Sequence, residues 1–294
     1  MNEIEEDEIM SKIAFCVCSN SGIDYFDFPK DIQVLRSIIS YNETEHYKDY
    51  IELTAEAFYT RLLENANEIP KTAFIPMGVL ESIIDDYEQQ GYTDVIINVI
   101  SAKLSGLYNA INLMSELSER NIKIHAVDSK SLVYPQVHMT LTGYDMANKG
   151  HSVQEIIAEM EKIRDNSNIL FTVDTLAFLE KNGRLSKAAA SIGNMIKLRP
   201  LFKLDSEGSI EVVEKIRTTS KAQKRMLDLY VEQTKNLDIA VTYVAHANND
   251  EDAIKMKESI KEIFPDREVI IMYITPVVGA HTGPGAVGLG YISK

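Results

Sequence analysis

In the first half of the chain, apolar runs of strand length alternate with apolar residues at helical spacing, and this pattern limits the possible folds more than any other feature. KIAFCVC (12 to 18), TDVIINVIS (93 to 101) and IKIHAVD (122 to 128) read as strands. Between the first two, Leu53, Ala57, Phe58, Leu62 and Leu63 recur at helical spacing after a cap at Glu52 or Thr54. Val79, Leu80, Ile83, Ile84 and Tyr87 do the same before Gly91, and Leu107, Ile111, Met114 and Leu117 mark a third helix. Parallel strands need long crossovers and helices supply them, so the alternation predicts an α/β fold with a parallel sheet and right-handed connections. A helix over 135 to 149 ends near Gly150. Ser152 and Glu155 then form a capping box for a helix that turns Val153, Ile156, Ile157, Met160 and Ile163 inward.

A boundary falls near Asn166 to Asn168. ILFTV and RPLFKLD beyond it read as strands, and SIEVVEKI is the return arm of a hairpin after Asp205, Glu207 and Gly208. LDIAVTYVAH, a helix at 250 to 263, EVIIMYI and a glycine-rich end complete a second α/β lobe. The expected organisation is an acidic leader (1–11), an N-terminal lobe (12–166) and a C-terminal lobe (167–294). The length of 294 residues accommodates two cores.

Lys and Arg total 30 against 44 Asp and Glu, a net charge of -14. Such a surface repels phosphate backbones, which argues against nucleic-acid binding. Glu5, Glu6, Asp7 and Glu8 are the opposite of a basic signal region, and no apolar run reaches the roughly 18 residues of a membrane-spanning helix. A cytoplasmic protein is expected. Cys16 and Cys18, the only cysteines, lie two apart on a strand and so on one face. Two thiols make no zinc site, so no metal is expected and the pair reads as buried strand thiols in a reducing compartment.

Three segments have the composition of a site. In ISAKLSGLYNA (100 to 110) a strand enters a helix through Ser105 and Gly106, where free backbone amides and the helix dipole favour an anion; equally, Ser105 is simply a cap. TPVVGAHTGPGAVGLGYI (275 to 292) sets His281 and Thr282 among five glycines and two prolines, a loop whose amides can face one concavity. In EKNGRLSKAAA (180 to 190), Gly183 breaks a helix, Ser186 is placed to cap the next, and Arg184 between them offers a rigid fork to a carboxylate or phosphate, unless it is merely solvated. EKIRTTSKAQKR, with Arg217, is the most basic stretch of an acidic chain and suits an acidic partner or a salt-bridged helix face. GxSxG, HExxH, GxxxxGK[ST] and a GxGxxG after the first strand are all absent, which lowers the weight of serine hydrolases, zinc proteases and common nucleotide-cofactor enzymes.

In this order, KTAFIP (71 to 76), LSGLYNA (104 to 110), VDSKS (127 to 131), KNGRLS (181 to 186), KIRTTSKA (215 to 222) and GAHTGPGAVG (279 to 288) resemble the DegV family of bacterial fatty-acid-binding proteins over nearly the whole chain after the leader. The resemblance implies two α/β lobes, a parallel-sheet N-terminal one and a mixed-sheet C-terminal one, with a tunnel between them for one long-chain fatty acid. It implies a non-catalytic subunit that presents the acid to a separate ATP-dependent fatty acid kinase, whose acyl phosphate feeds phospholipid synthesis. The family's carboxylate-binding groups fall on Thr72, Ser105 and His281, and its partner-facing arginines on Arg184 and Arg217. No cofactor is implied beyond the acid itself. The chain departs from the family pattern at CSNSG (18 to 22), where Cys18 replaces an acid, at TAFIP (72 to 76), which loses a hydroxyl and an amide, and at Leu107, which replaces a Thr.

Burying about sixteen carbons gains on the order of 10 kcal/mol gross, at roughly 0.8 per methylene. An unpaired buried carboxylate would cancel that gain, so it needs several hydrogen bonds. A protonated His281 is expected to add positive charge. Two other readings use the same residues: an acyl hydrolase or transferase with Ser105 as nucleophile and His281 as base, and a lipid-sensing module that docks a protein through Arg184 and Arg217.

Overall fold

The computed structural model describes residues 11–65, 68–185 and 198–294. The acidic cluster Glu5 to Glu8 and the cap expected at Ser186 lie outside the described residues.

The first sheet is parallel throughout. Strand β1 (Ile13–Cys18) pairs with β2 (Gln33–Leu35) on one side and with the strand Asp94–Val99 on the other; the latter, β6, pairs in turn with β7 (Lys123–Asp128). Alternation along β1 sorts the core. Ala14, Cys16 and Cys18 pack with Val95, Ile97 and Val99 beneath helices α2 (Met77–Gln89) and α3 (Leu107–Glu116). Phe15 and Val17 face α4 (Tyr134–Asn148) and α5 (Val153–Asp165) through Val137, Met139, Ile156 and Met160. The two thiols therefore share one buried face, as their spacing requires, and burial pushes both up to about 12. Thr54 caps helix α1 (Ala55–Glu64) by accepting from the Ala57 amide, and the Ser152–Glu155 capping box opens α5.

Between β2 and β6 the chain builds a small antiparallel sheet that the apolar pattern does not reveal: β3 (Ile38–Ser40) lies between β4 (His46–Lys48) and β5 (Lys71–Ala73). Its strands have three residues each, too few to display a period. Helical spacing also overstates burial at three positions: Leu63, Val79 and Leu117 point to solvent.

After α5 the chain enters a six-stranded mixed sheet. Its order is β10 (Ile210–Glu214), β9 (Leu201–Leu204), β8 (Ser167–Thr172), β13 (Val287–Ser293), β11 (Ile239–His246), β12 (Val269–Tyr273). Only β11 and β12 run parallel; β9 and β10 form the expected hairpin. Helices α7 (Thr219–Thr234) and α8 (Asp250–Ile263) cover one face through Met226, Tyr230, Met256 and Ile260. The opposite face turns toward the parallel sheet, and two short helices, α6 (Ala177–Lys181) and α9 (Pro276–Thr282), close the space between the sheets.

Candidate ligand-binding site

That space holds a cavity of about 370 Å³. Segments just beyond the C-terminal ends of β1, β6 and β7 supply Asn20, Leu104, Ser105, Leu132 and Val133 to its wall, at the end of a parallel sheet where ligands bind. The mixed sheet supplies Ile169, Phe171, Ala245 and Val287, and α9 supplies Val277, Val278 and His281. The walls are mainly apolar. Its polar side chains include Thr72, Ser105, His281 and Arg184, so four of the five candidate residues reach one cavity from segments far apart in sequence. Arg217 does not line it. Arg217 is exposed in the turn before α7.

Thr72 occupies the middle of β5, paired with Ile39, and its Oγ1 lies 2.8 Å from His281 Nε2. The imidazole Nδ1 is buried and has no hydrogen-bond partner among the described residues. Ser105 Oγ accepts from the Leu107 amide at 3.3 Å, while Gly106 takes the N-cap position of α3. His281 rides on α9, which lies unusually close to α1. A Cβ at Gly279 would stand 2.5 Å from Tyr59 Oη, the hydroxyl that donates to the Ile274 carbonyl at 2.9 Å. Glycine is what lets the two helices meet and sets the imidazole at the cavity wall.

Sequence reasoning missed Asn182. Its Nδ2 donates to the Ala280 carbonyl at 2.8 Å and to the Pro70 carbonyl at 3.2 Å. Arg184 Nε donates to the Leu104 carbonyl at 3.3 Å, and Nη1 donates to the Asn182 carbonyl at 2.5 Å. Three of the accepting carbonyls, those of Pro70, Leu104 and Ala280, belong to residues one or two positions before Thr72, Ser105 and His281. The NGR turn thus ties together the three segments that carry the hydroxyls and the imidazole. Its sequence signal is only an Asn before Gly183, which is equally an ordinary helix end with φ of 69°.

One expectation is overturned. His281 is not a standing positive charge: burial, and then the neighbouring Arg184 guanidinium, hold its value down to about 3, so the ring is neutral at pH 7. At the opposite end of α9, fully buried Asp49 accepts from the Val277 amide at 3.1 Å through Oδ1 and so anchors the first turn of the helix. Oδ2 has no hydrogen-bond partner among the described residues. Burial pushes this carboxyl up to about 7; the Ser19 hydroxyl, the Val277 amide and Arg36 pull the other way without cancelling it.

The arrangement is not that of an acyl-transfer dyad. His281 Nε2 pairs with Thr72 rather than Ser105, and Ser105 Oγ is turned to a backbone amide. Among the described residues there is no cluster of three metal-ligating side chains, and no helix is long and apolar enough to cross a membrane.

Fold and site together define an α/β protein that encloses an apolar cavity between a parallel and a mixed sheet, with a polar rim of hydroxyls, one imidazole and one guanidinium. The chain belongs to the DegV family, as its six motifs indicate: the family model described as "Uncharacterised protein, DegV family" matches residues 24–294. A DegV domain-containing protein of Clostridium acetobutylicum is 32% identical over 288 residues, 97% of this chain and 100% of that protein. Among solved structures, DegV of Bacillus subtilis, described as a fatty acid binding protein, superposes with a TM-score of 0.84 at 30% identity, covering 97% of this chain and 100% of its own. A fatty acid binding DegV family protein of Streptococcus agalactiae gives 0.86 at 25% identity, with 97% and 99% covered.

Proposed function

We propose that this chain binds one long-chain fatty acid in the cavity, with the carboxylate held by Thr72, Ser105 and His281 and the acyl chain lying between lobes built from residues 12–166 and 167–294. The observation that carries this reading is the junction of apolar walls with a compact donor set: the Thr72–His281 pair at 2.8 Å and the Ser105 hydroxyl on the same cavity. Such a site suits a molecule with a long apolar body and one polar end, and the Bacillus subtilis and Streptococcus agalactiae relatives are described as fatty acid binding.

In this reading the protein is a non-catalytic cytoplasmic subunit with no cofactor. It presents its acid to a separate ATP-dependent fatty acid kinase, and the acyl phosphate enters phospholipid synthesis. The exposed Arg217, with no ion pair among the described residues, is the proposed contact for that acidic partner. Native mass spectrometry of protein purified from a bacterial host tests the binding directly. A mass increment matching one long-chain acid, exchangeable for added palmitate, is expected. Protein that carries no such mass and takes up no palmitate rules the proposal out.

A further inference from the structure

We propose that Val133 sets the upper size limit of the acyl chain, because its side chain fills room at the cavity wall that a glycine would leave open; this rests on the fatty-acid reading above. Val133 ends the connection from β7 to α4, lines the cavity beside Leu132, and is 1% exposed. Its backbone has φ of 53° and ψ of -132°. Those angles match the first central position of a type II′ turn, where glycine dominates because a Cβ crowds the neighbouring backbone. Valine, branched at Cβ, fits there less well than alanine does. The described non-glycine residues with positive φ are Tyr50, Lys130, Val133 and Asn248, and of these Val133 alone lines the cavity.

The neighbours impose this conformation. Before Val133, Asp128 Oδ1 accepts from the Ala102 amide at 3.1 Å and from the Lys130 amide at 2.8 Å. The Ser131 carbonyl accepts from the Ser101 amide at 2.9 Å and from Ser129 Oγ at 3.0 Å. After it, the Tyr134 ring lies against Phe26 and Tyr243, with centroids 5.4 and 5.5 Å away, and the Val133 carbonyl accepts from the Gln136 amide at 3.1 Å. A chain fixed on both sides keeps a strained residue between them. Glycine would satisfy the same backbone bonds with less strain. What valine adds over glycine is three side-chain carbons in an apolar wall, which take the room of about three methylenes of a ligand. Val133 is therefore a specificity-determining residue: it shortens the chain that the cavity can enclose.

The test incubates the full chain with an equimolar mixture of saturated acids from twelve to twenty carbons and reads the bound acids by native mass spectrometry. Val133→Gly and Val133→Ala should both shift the bound population toward longer chains, by about two carbons. The acid two carbons longer than the one the unaltered protein prefers should gain on the order of 15-fold in relative occupancy, at roughly fourfold per newly buried methylene. Melting of the ligand-free proteins separates strain from space: the Gly variant should melt above the Ala variant, the reverse of the order in an unstrained backbone. An unchanged length profile in a folded variant would overturn the inference, and the Ala form serves as the second variant if the Gly form fails to fold. An Ala variant that melts above the Gly variant would overturn it too, by showing that the position carries no strain. Unaltered protein that binds none of the acids would instead reject the fatty-acid reading itself, and the inference with it.

Discussion

Ala245→Phe is expected to exclude the acyl chain while leaving the fold intact. Ala245 sits on β11 with 1% of its surface exposed, and its methyl faces the cavity opposite Gly288 on β13. A phenyl ring there enters existing free space, so the usual 1–3 kcal/mol cost of overpacking a filled core is largely avoided. The ring takes the room of about four methylenes, and at roughly 0.8 kcal/mol each their loss weakens binding on the order of 100-fold. Native mass spectrometry should show the unloaded chain, and thermal melting by circular dichroism should stay close to that of the unaltered protein stripped of ligand. Undiminished palmitate binding by the variant would mean that the acid lies elsewhere.

Asp49→Asn is expected to stabilise the protein at pH 8 by up to about 4 kcal/mol. The Asp49 carboxyl is raised from 3.8 to about 7 in the folded state, so between these values the native protein keeps a proton that the unfolded chain has released. Stability contributed by this group therefore falls as pH rises through that window, by about 1.4 kcal/mol per unit. His281 has the opposite sign. Its value drops from 6.5 to about 3 on folding, so the unfolded chain holds the extra proton and stability rises with pH across that interval. The two slopes offset each other from about pH 4 to 6.5. Above that the Asp49 penalty stands alone. Asn keeps an oxygen to accept from the Val277 amide and carries no charge. Urea unfolding at pH 5, 6.5 and 8 should show the variant gaining most at pH 8 and, unlike the unaltered protein, losing stability between pH 6.5 and pH 5. A variant less stable at pH 8 would show that the ionised hydrogen bond to α9 outweighs the cost of burial.

The sheets were legible where strands are long and buried on both faces. IAFCVC and DVIINV leave little choice, and the Ser152–Glu155 box announces its helix by local chemistry alone. Thr72 lies instead on a three-residue strand whose existence depends on pairing with Ile39, more than thirty positions away, and no local period reports that. Asn182 and Asp49 were invisible for a related reason. The carbonyls and amide they hold come from Pro70, Ala280 and Val277, distant segments that meet only in the folded chain. The identity of His281 was readable from its glycine-rich segment, but its charge was not. Desolvation depends on what packs around a ring, and the helix that carries His281 packs against α1, α6 and the small antiparallel sheet.

The central claim is that the acid enters with its carboxylate toward Thr72, Ser105 and His281 and its tail along the apolar walls between the sheets. A crystal structure with palmitate brominated at its terminal carbon tests both ends at once through the anomalous signal of the halogen. The account predicts carboxylate oxygens within hydrogen-bond distance of Thr72 Oγ1 and Ser105 Oγ, and a single bromine peak inside the apolar part of the cavity. A bromine peak beside His281, or one outside the space between the sheets, would contradict it.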